Sequence, residues 1–186
     1  MQKLVVFQNI SLDGYFVDSD GQMSWAKMDN DAEFNRFTTE NAKGGGTLIF
    51  GRVTYDLMVS FWTTEQARQM FPEVAEKMND GAKVVFSRKM EKASWTNTKL
   101  EKGDLVETIR RMKSEPGEGM VILGSGSIVA QLAPEKLIDE YQMVVNPIVL
   151  GTGRTMFEGI GERLNFKLTK TKTFQNGRIF LTYAPA

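Results

Sequence analysis

The 186-residue chain is 41% hydrophobic and 25% charged, a balance that belongs to a folded globular protein and excludes a collagen-like or disordered polymer. Its 23 Lys and Arg offset 23 Asp and Glu, so bulk electrostatics give no attraction to nucleic acid or to an anionic membrane surface. Cysteine and histidine are both absent, which rules out disulfides, thiolate nucleophiles and a Ser-His-Asp triad within the chain; only carboxylates remain as metal ligands, and no metal site is expected. At this length about 70% of the unfolded surface can be buried without staples, and one domain over residues 1–186 is expected. Apolar runs such as Met120–Leu123 fall far short of the roughly 18 residues that span a bilayer, and the N-terminus has no signal-like stretch. A cytoplasmic protein without a membrane partner is therefore expected.

Leu4–Phe7 is short, apolar and rich in β-branched residues, and it runs into the turn-prone Ser11-Leu12-Asp13-Gly14, so it reads as a buried strand feeding a loop. That loop extends to Trp25 and carries Asp13-Gly14 and Asp20-Gly21 among aromatic residues; loops of this length are commonly functional. Phe34 and Phe37 mark an amphipathic helix over residues 31–41, ended by Gly44-Gly45-Gly46. Thr47–Phe50 is a second strand, with a helix over 53–61 opening at its end, and residues 65–79 are helical with a restart at Pro72. Lys83–Phe86 is the third strand, Asp104 caps a helix over 105–113, and Met120–Leu123 is the fourth strand with a short helix over 127–132 behind it. This alternation predicts a mostly parallel sheet with helices on both faces. In the last third, 139–149 and 166–174 read as strands, Asn176-Gly177 signals a type I′ hairpin, and 178–183 returns antiparallel.

Chemistry-bearing residues collect at strand ends. Gly124-Ser125-Gly126-Ser127-Ile128 lies between strand and helix, where backbone N–H groups can hold a pyrophosphate; the same residues also suit a plain tight turn. Gly51-Arg52-Val53-Thr54 repeats that arrangement with a forked donor and a hydroxyl, or else is a helix start with a solvated Arg. Ser87-Arg88 closes the third strand in the same way. Ligands bind at the carboxyl ends of strands in open α/β sheets, so these three positions together point to a phosphate-rich cofactor. Asp13 either orients or protonates a substrate or belongs to an ordinary Asp-Gly turn, and Trp25 either walls a pocket or fills core.

Taken in order, Ser11-Leu12-Asp13-Gly14, Ile49–Tyr55, Val85–Arg88, Leu123–Ser127 and Asn146–Gly153 resemble the dihydrofolate reductase superfamily over nearly the whole chain. The branch most similar is the reductase domain of the bifunctional riboflavin-biosynthesis deaminase-reductase. The resemblance implies an α/β three-layer fold with a mainly parallel central sheet and a C-terminal antiparallel hairpin, binding NADPH. It places Gly51, Arg52, Val53 and Thr54 at the cofactor phosphates, Ser87 and Arg88 near the adenosine ribose, Gly124, Ser125, Gly126, Ser127 and Ile128 under the pyrophosphate, and Asn9 near the nicotinamide. Asp13 falls on the substrate side as the candidate catalytic residue, with Trp25 and Asp31 as candidate substrate contacts. True pterin reductases carry an acidic residue early in the first helix, and Asp29, Asp31 and Glu33 compete for that register. The expected activity is NADPH-dependent hydride transfer to a C=O or C=N bond of a small pterin-like or pyrimidine-like heterocycle, in a homodimer. The alternative is a nucleotide-binding or regulatory module that keeps the fold without turnover.

Overall fold

A computed structural model describes residues 1–26, 31–42 and 44–186. In chain order the elements are β1 (Leu4–Ile10), β2 (Tyr15–Val17), α1 (Ala32–Ala42), β3 (Thr47–Gly51), α2 (Arg52–Trp62), α3 (Glu65–Met70), α4 (Pro72–Asp80), β4 (Lys83–Phe86), β5 (Thr98–Glu101), α5 (Leu105–Ser114), β6 (Met120–Leu123), α6 (Gly126–Leu132), β7 (Glu140–Val145), β8 (Arg154–Thr155), β9 (Phe166–Thr173) and β10 (Ile179–Pro185). Eight strands form one sheet in the order β5-β4-β3-β6-β1-β7-β10-β9, while β2 and β8 form a separate small ribbon. From β5 to β7 all neighbours are parallel; β10 is antiparallel to both β7 and β9.

The alternation of side chains along the strands builds the layers. Leu4, Val6, Ile49 and Ile122 point to one face, where Leu105 and Ile109 of α5, Val129 and Leu132 of α6, and Phe16 and Val17 of β2 cover them. Phe50 and Val85 point to the opposite face and pack with Tyr55 of α2, Met78 of α4 and Trp95. On that same side α1 is anchored by Phe34, which meets Phe174 edge to face at 5.1 Å, in a cluster with Val144 and Phe180. Helix α4 ends on a buried cation: the Lys83 ammonium donates to the carbonyls of Met78, Asn79 and Gly81 and lies 4.7 Å from the centre of the Trp95 ring. Burial pulls its pKa down to about 8, against the pull of nearby Asp80 in the other direction.

Several sequence expectations change at their edges. The 11–25 loop contains β2, whose three residues are too few to show a period, and 139–149 shortens to β7 because Asn146 leaves the ladder before Pro147. Strand β5 escapes sequence reading because its four residues, Thr98-Lys99-Leu100-Glu101, lie on an edge and carry one apolar side chain. The 65–79 helix splits at Phe71, whose φ of −140° breaks the run where Pro72 opens α4. Asp104 caps α5 as its position predicts, accepting from the N–H of Glu107 at 2.9 Å. The hairpin turn is not type I′. Only Gly177 has positive φ (82°); it donates to the Phe174 carbonyl while Phe174 N–H donates to Arg178, which makes a three-residue loop ending in a left-handed glycine. Among the described residues no helix is long and apolar enough to cross a membrane.

Candidate active site

The carboxyl ends of β3, β4 and β6 open into a cleft of about 730 Å³ lined by Gly51, Arg52, Val53, Thr54, Ser87, Arg88 and Gly124–Ile128. Every strand-end residue singled out from the sequence for a cofactor, Asn9 excepted, thus lines one space. The two turns that begin α2 and α6 are locked to each other. Ser125 Oγ accepts from Gly51 N–H at 2.8 Å, and Ser125 N–H donates to Thr54 Oγ1 at 3.1 Å. Ser125 holds a left-handed φ of 60° directly after Gly124 at 59°, a conformation tolerated at a non-glycine residue because these bonds fix it.

The glycines serve close packing more than sequence spacing suggests. A Cβ on Gly51 would sit 3.4 Å from Ser125 Oγ, and one on Gly126 only 3.0 Å from the Phe16 ring, so Gly126 admits a side chain of β2. The first amides of α6, Gly126 and Ser127, have no acceptor among the described residues, and α2 starts without a side-chain cap. Both helix starts therefore present N–H donors to the cleft.

Charges in the cleft are unevenly committed. Arg52 pairs with Asp56 at 2.9 Å, Arg154 pairs with Glu158 at 3.2 Å, Glu101 pairs with Lys99 at 2.6 Å, and Asp104 is used as a helix cap. Among the described residues lining the cleft, Arg88 is the one cation without a carboxylate partner. Ser87 Oγ beside it accepts from Met90 N–H at 3.0 Å and so orders the turn that carries Arg88.

A second cavity of about 460 Å³ lies between α1, α2, α4 and the sheet, with apolar walls that include Phe7, Phe34, Leu48, Met58 and Trp62. Its polar lining is mixed: the neutral Gln8, Asn9, Thr38, Asn41 and Gln142 together with Lys3, Lys77 and Glu118. Gly124 and Met23 line both spaces, so the cavity and the cleft meet there. Asn9 belongs to this cavity, and its Oδ1 accepts from Asn146 Nδ2 at 3.3 Å. Asn146 is itself buried and accepts from Arg178 Nε at 2.7 Å, and the Arg178 guanidinium stacks 4.5 Å from the Phe34 ring centre. This Asn9–Asn146–Arg178 chain ties the first strand to the hairpin; sequence reading placed Arg178 as an ordinary strand residue.

The three substrate-side candidates do not converge. Asp13 lines neither space. Its carboxylate accepts from Ser11 Oγ at 2.6 Å, Gly151 N–H at 2.8 Å and Leu150 N–H at 3.2 Å. The Ser11 hydroxyl foremost, with the two amides, holds its pKa below the ordinary carboxylate value. Asp31 caps α1 through Glu33 and Phe34 N–H, both at 2.9 Å, and accepts from Asn176 N–H at 3.2 Å. Glu33 pairs with Lys172 at 3.0 Å, and Asp29 lies outside the described residues. Trp25 lines neither space, although its neighbours Met23 and Ala26 border the cavity.

A mostly parallel sheet finished by an antiparallel hairpin, with a cleft at its strand ends, defines the dihydrofolate-reductase-like class of fold. Dihydrofolate reductase from Enterococcus faecalis, solved with NADP(H), superposes with a TM-score of 0.65 at 15% identity over 98% of this chain and 96% of that one. The profile of the RibD C-terminal domain matches residues 2–180, and the chain belongs to that family. A Shewanella sp. PV-4 protein provisionally described as a riboflavin biosynthesis protein superposes with a TM-score of 0.78 at 24% identity, covering 100% of this chain and 99% of that one. The uncharacterised Bacillus subtilis (strain 168) protein YyaP is 24% identical over 182 residues, 98% of this chain and 94% of that protein. Family and fold together mark the chain as reductase-like.

Proposed function

We propose that the protein is an NADPH-dependent reductase that delivers hydride to a C=O or C=N bond of a small heterocycle held in the apolar cavity. The observation that carries this reading is the continuity of the two spaces at Gly124: a donor-rich cleft suited to phosphates opens into an apolar cavity suited to a ring. The residues present fit the cofactor. Amides at the starts of α2 and α6 and the Ser127 hydroxyl would hold the phosphates, Arg88 would hold the 2′-phosphate, and Asn9 would border the nicotinamide end. When bound, NADPH supplies the hydride. The protein's part is to hold donor and acceptor in register, with the Ser125–Gly51 and Ser125–Thr54 bonds keeping the cradle rigid, and to exclude water with Phe7, Phe34 and Met58. Substrate-dependent oxidation of NADPH, screened over pyrimidine-like and pterin-like heterocycles, tests the reading. Tight NADPH binding without turnover on any of them favours a nucleotide-binding module instead. Pyrimidine-like and pterin-like rings are both candidate acceptors: Asp31 and Glu33 are committed to a helix cap and an ion pair, while Asp29 lies outside the described residues.

In this reading Asp13 is a positioning residue, not the proton donor. An ionised carboxylate that already accepts three hydrogen bonds has no proton to give at neutral pH. Asp13→Asn is expected to lower kcat by about tenfold or less, against the roughly 10²–10⁴ typical of a lost general acid, with NADPH affinity unchanged and no displaced limb in the pH–rate profile. A displaced limb would restore the acid role. Because the folded pKa is depressed, the stabilisation from this clasp is complete above the ordinary carboxylate pKa and disappears as the pH falls through the folded value.

A homodimer is part of the reading. Phe174 and Phe180 turn inward, which leaves Ile179 exposed on the hairpin and Leu12, Ile148 and Val149 exposed on the linked loops. Two copies covering these side chains are expected at micromolar concentration; a monomer mass by light scattering would overturn this.

A further inference from the structure

Gln8 is 2% exposed, yet its Oε1 has no hydrogen-bond partner among the described residues. Its Nε2 donates to the Asn9 carbonyl at 3.1 Å, which fixes the amide and leaves the oxygen as an acceptor. Folded proteins seldom leave a buried side-chain acceptor unmet, because the group loses water and gains nothing in return. Its place makes the deficit informative. Gln8 lines the apolar cavity beside Gly124, which with Met23 is common to cavity and cleft, and a Cβ built on Gly124 would lie 3.7 Å from Gln8 Oε1. The position a side chain at 124 would take lies between this oxygen and Thr54, which lines the cleft. Other polar groups at the junction are already used: Asn9 Oδ1 by Asn146, and Thr54 Oγ1 by Ser125 N–H.

We infer that Gln8 Oε1 is the acceptor for the carboxamide N–H of the cofactor's nicotinamide, and so sets which way the ring is turned where the cleft meets the cavity. The inference rests on the reductase reading, which puts the hydride-bearing ring at that meeting point because the hydride must pass from one space to the other. A carboxamide carries two N–H donors, and one of them meets the unmatched lone pairs of Gln8 while the ring stays against apolar walls.

The test compares NADPH with its reduced acetylpyridine analogue, in which a methyl ketone replaces the carboxamide and no N–H remains. Dissociation constants are measured for the wild type and for Gln8→Met, a near-isosteric side chain without the acceptor. The wild type is expected to prefer NADPH by about fivefold, the worth of one neutral hydrogen bond. Gln8→Met is expected to bind the two dinucleotides equally, with its NADPH affinity down by the same factor. The melting temperature of the ligand-free variant is expected to change little, since the substitution removes the unmet oxygen together with the Nε2 bond to the Asn9 carbonyl; a purely structural glutamine would lower it. A variant that retains the preference, or that loses affinity for both dinucleotides alike, overturns the role of Gln8 while leaving the reductase reading in place. A wild type that binds neither dinucleotide overturns the reductase reading and this inference together.

Discussion

Arg88→Ala is expected to weaken NADPH binding about 10- to 150-fold and to leave NADH binding nearly unchanged. The magnitude is that of one charge-assisted hydrogen bond to a phosphate, roughly 1.5–3 kcal/mol. The assignment to Arg88 and not to Arg52 follows from how each guanidinium is committed. Arg52 is held by Asp56 one helical turn on, whereas Arg88 is exposed at the end of β4 with no carboxylate partner and with Ser87 shaping the turn that carries it. Arg52→Ala therefore has the smaller effect on the NADPH to NADH ratio. The acidic residues nearby do not cancel the attraction, because Glu101 is paired with Lys99 and Asp104 is occupied as a cap. Calorimetric titration of both dinucleotides against both variants checks the claim; equal losses for NADPH and NADH on removal of Arg88 would remove the 2′-phosphate assignment.

The second large effect lies outside the cleft. Gly153 has φ of +150°, and a Cβ there would be 2.0 Å from the Val17 carbonyl oxygen, a backbone atom of the paired strand β2. Gly153→Ala must push β8 away from β2, and with it Phe16 and Val17, whose side chains are buried against α6 and the sheet. A loss of about 2–4 kcal/mol is expected from strain and lost packing, a fall in melting temperature of roughly 10 °C for a chain of this size. Gly159→Ala supplies the control: its φ of +86° is also one that alanine rarely adopts, but nothing among the described residues lies within 4 Å of the new Cβ. The control should cost only the conformational term, about 1–2 kcal/mol. If Gly153→Ala is no worse than Gly159→Ala, the clash with β2 is not what constrains this position. Since Phe16 covers Gly126, cofactor affinity should fall in Gly153→Ala and stay constant in the control.

The cleft was readable because its residues sit at strand ends, and strand ends are legible from short β-branched runs followed by glycine or serine. Gly51-Arg52, Ser87-Arg88 and Gly124–Ile128 follow three such runs, and a parallel sheet necessarily brings them to one edge. The substrate half was not readable for three separate physical reasons. Gln8 alternates with apolar neighbours like any strand residue, and only the structure shows that its oxygen is left unmet. Asp13 and Asp31 look like chemistry in one dimension because carboxylates do, but each is consumed by nearby amides as loop clasp or helix cap. Arg178 acts through Asn146, 32 positions earlier, a distance no local pattern spans. The ribbon of β2 and β8 was missed because two or three residues cannot display a period, although it covers the glycine on which α6 begins.

The position of β1 in the sheet has a consequence for how the protein is made. Its partners are β6 and β7, and the first ladder joins Leu4 to Met120, 116 residues later. At about 5–20 residues per second on a ribosome, that apolar strand waits on the order of ten seconds with both edges unpaired, while β3, β4 and β5, adjacent in the sheet and closer in sequence, can already associate. The nascent chain therefore exposes an aggregation-prone segment during the interval before residue 120 emerges. Asn9 and Gln8, at the far end of that strand, are set in place only when β7 arrives, so the cleft and the cavity are completed at different moments of synthesis.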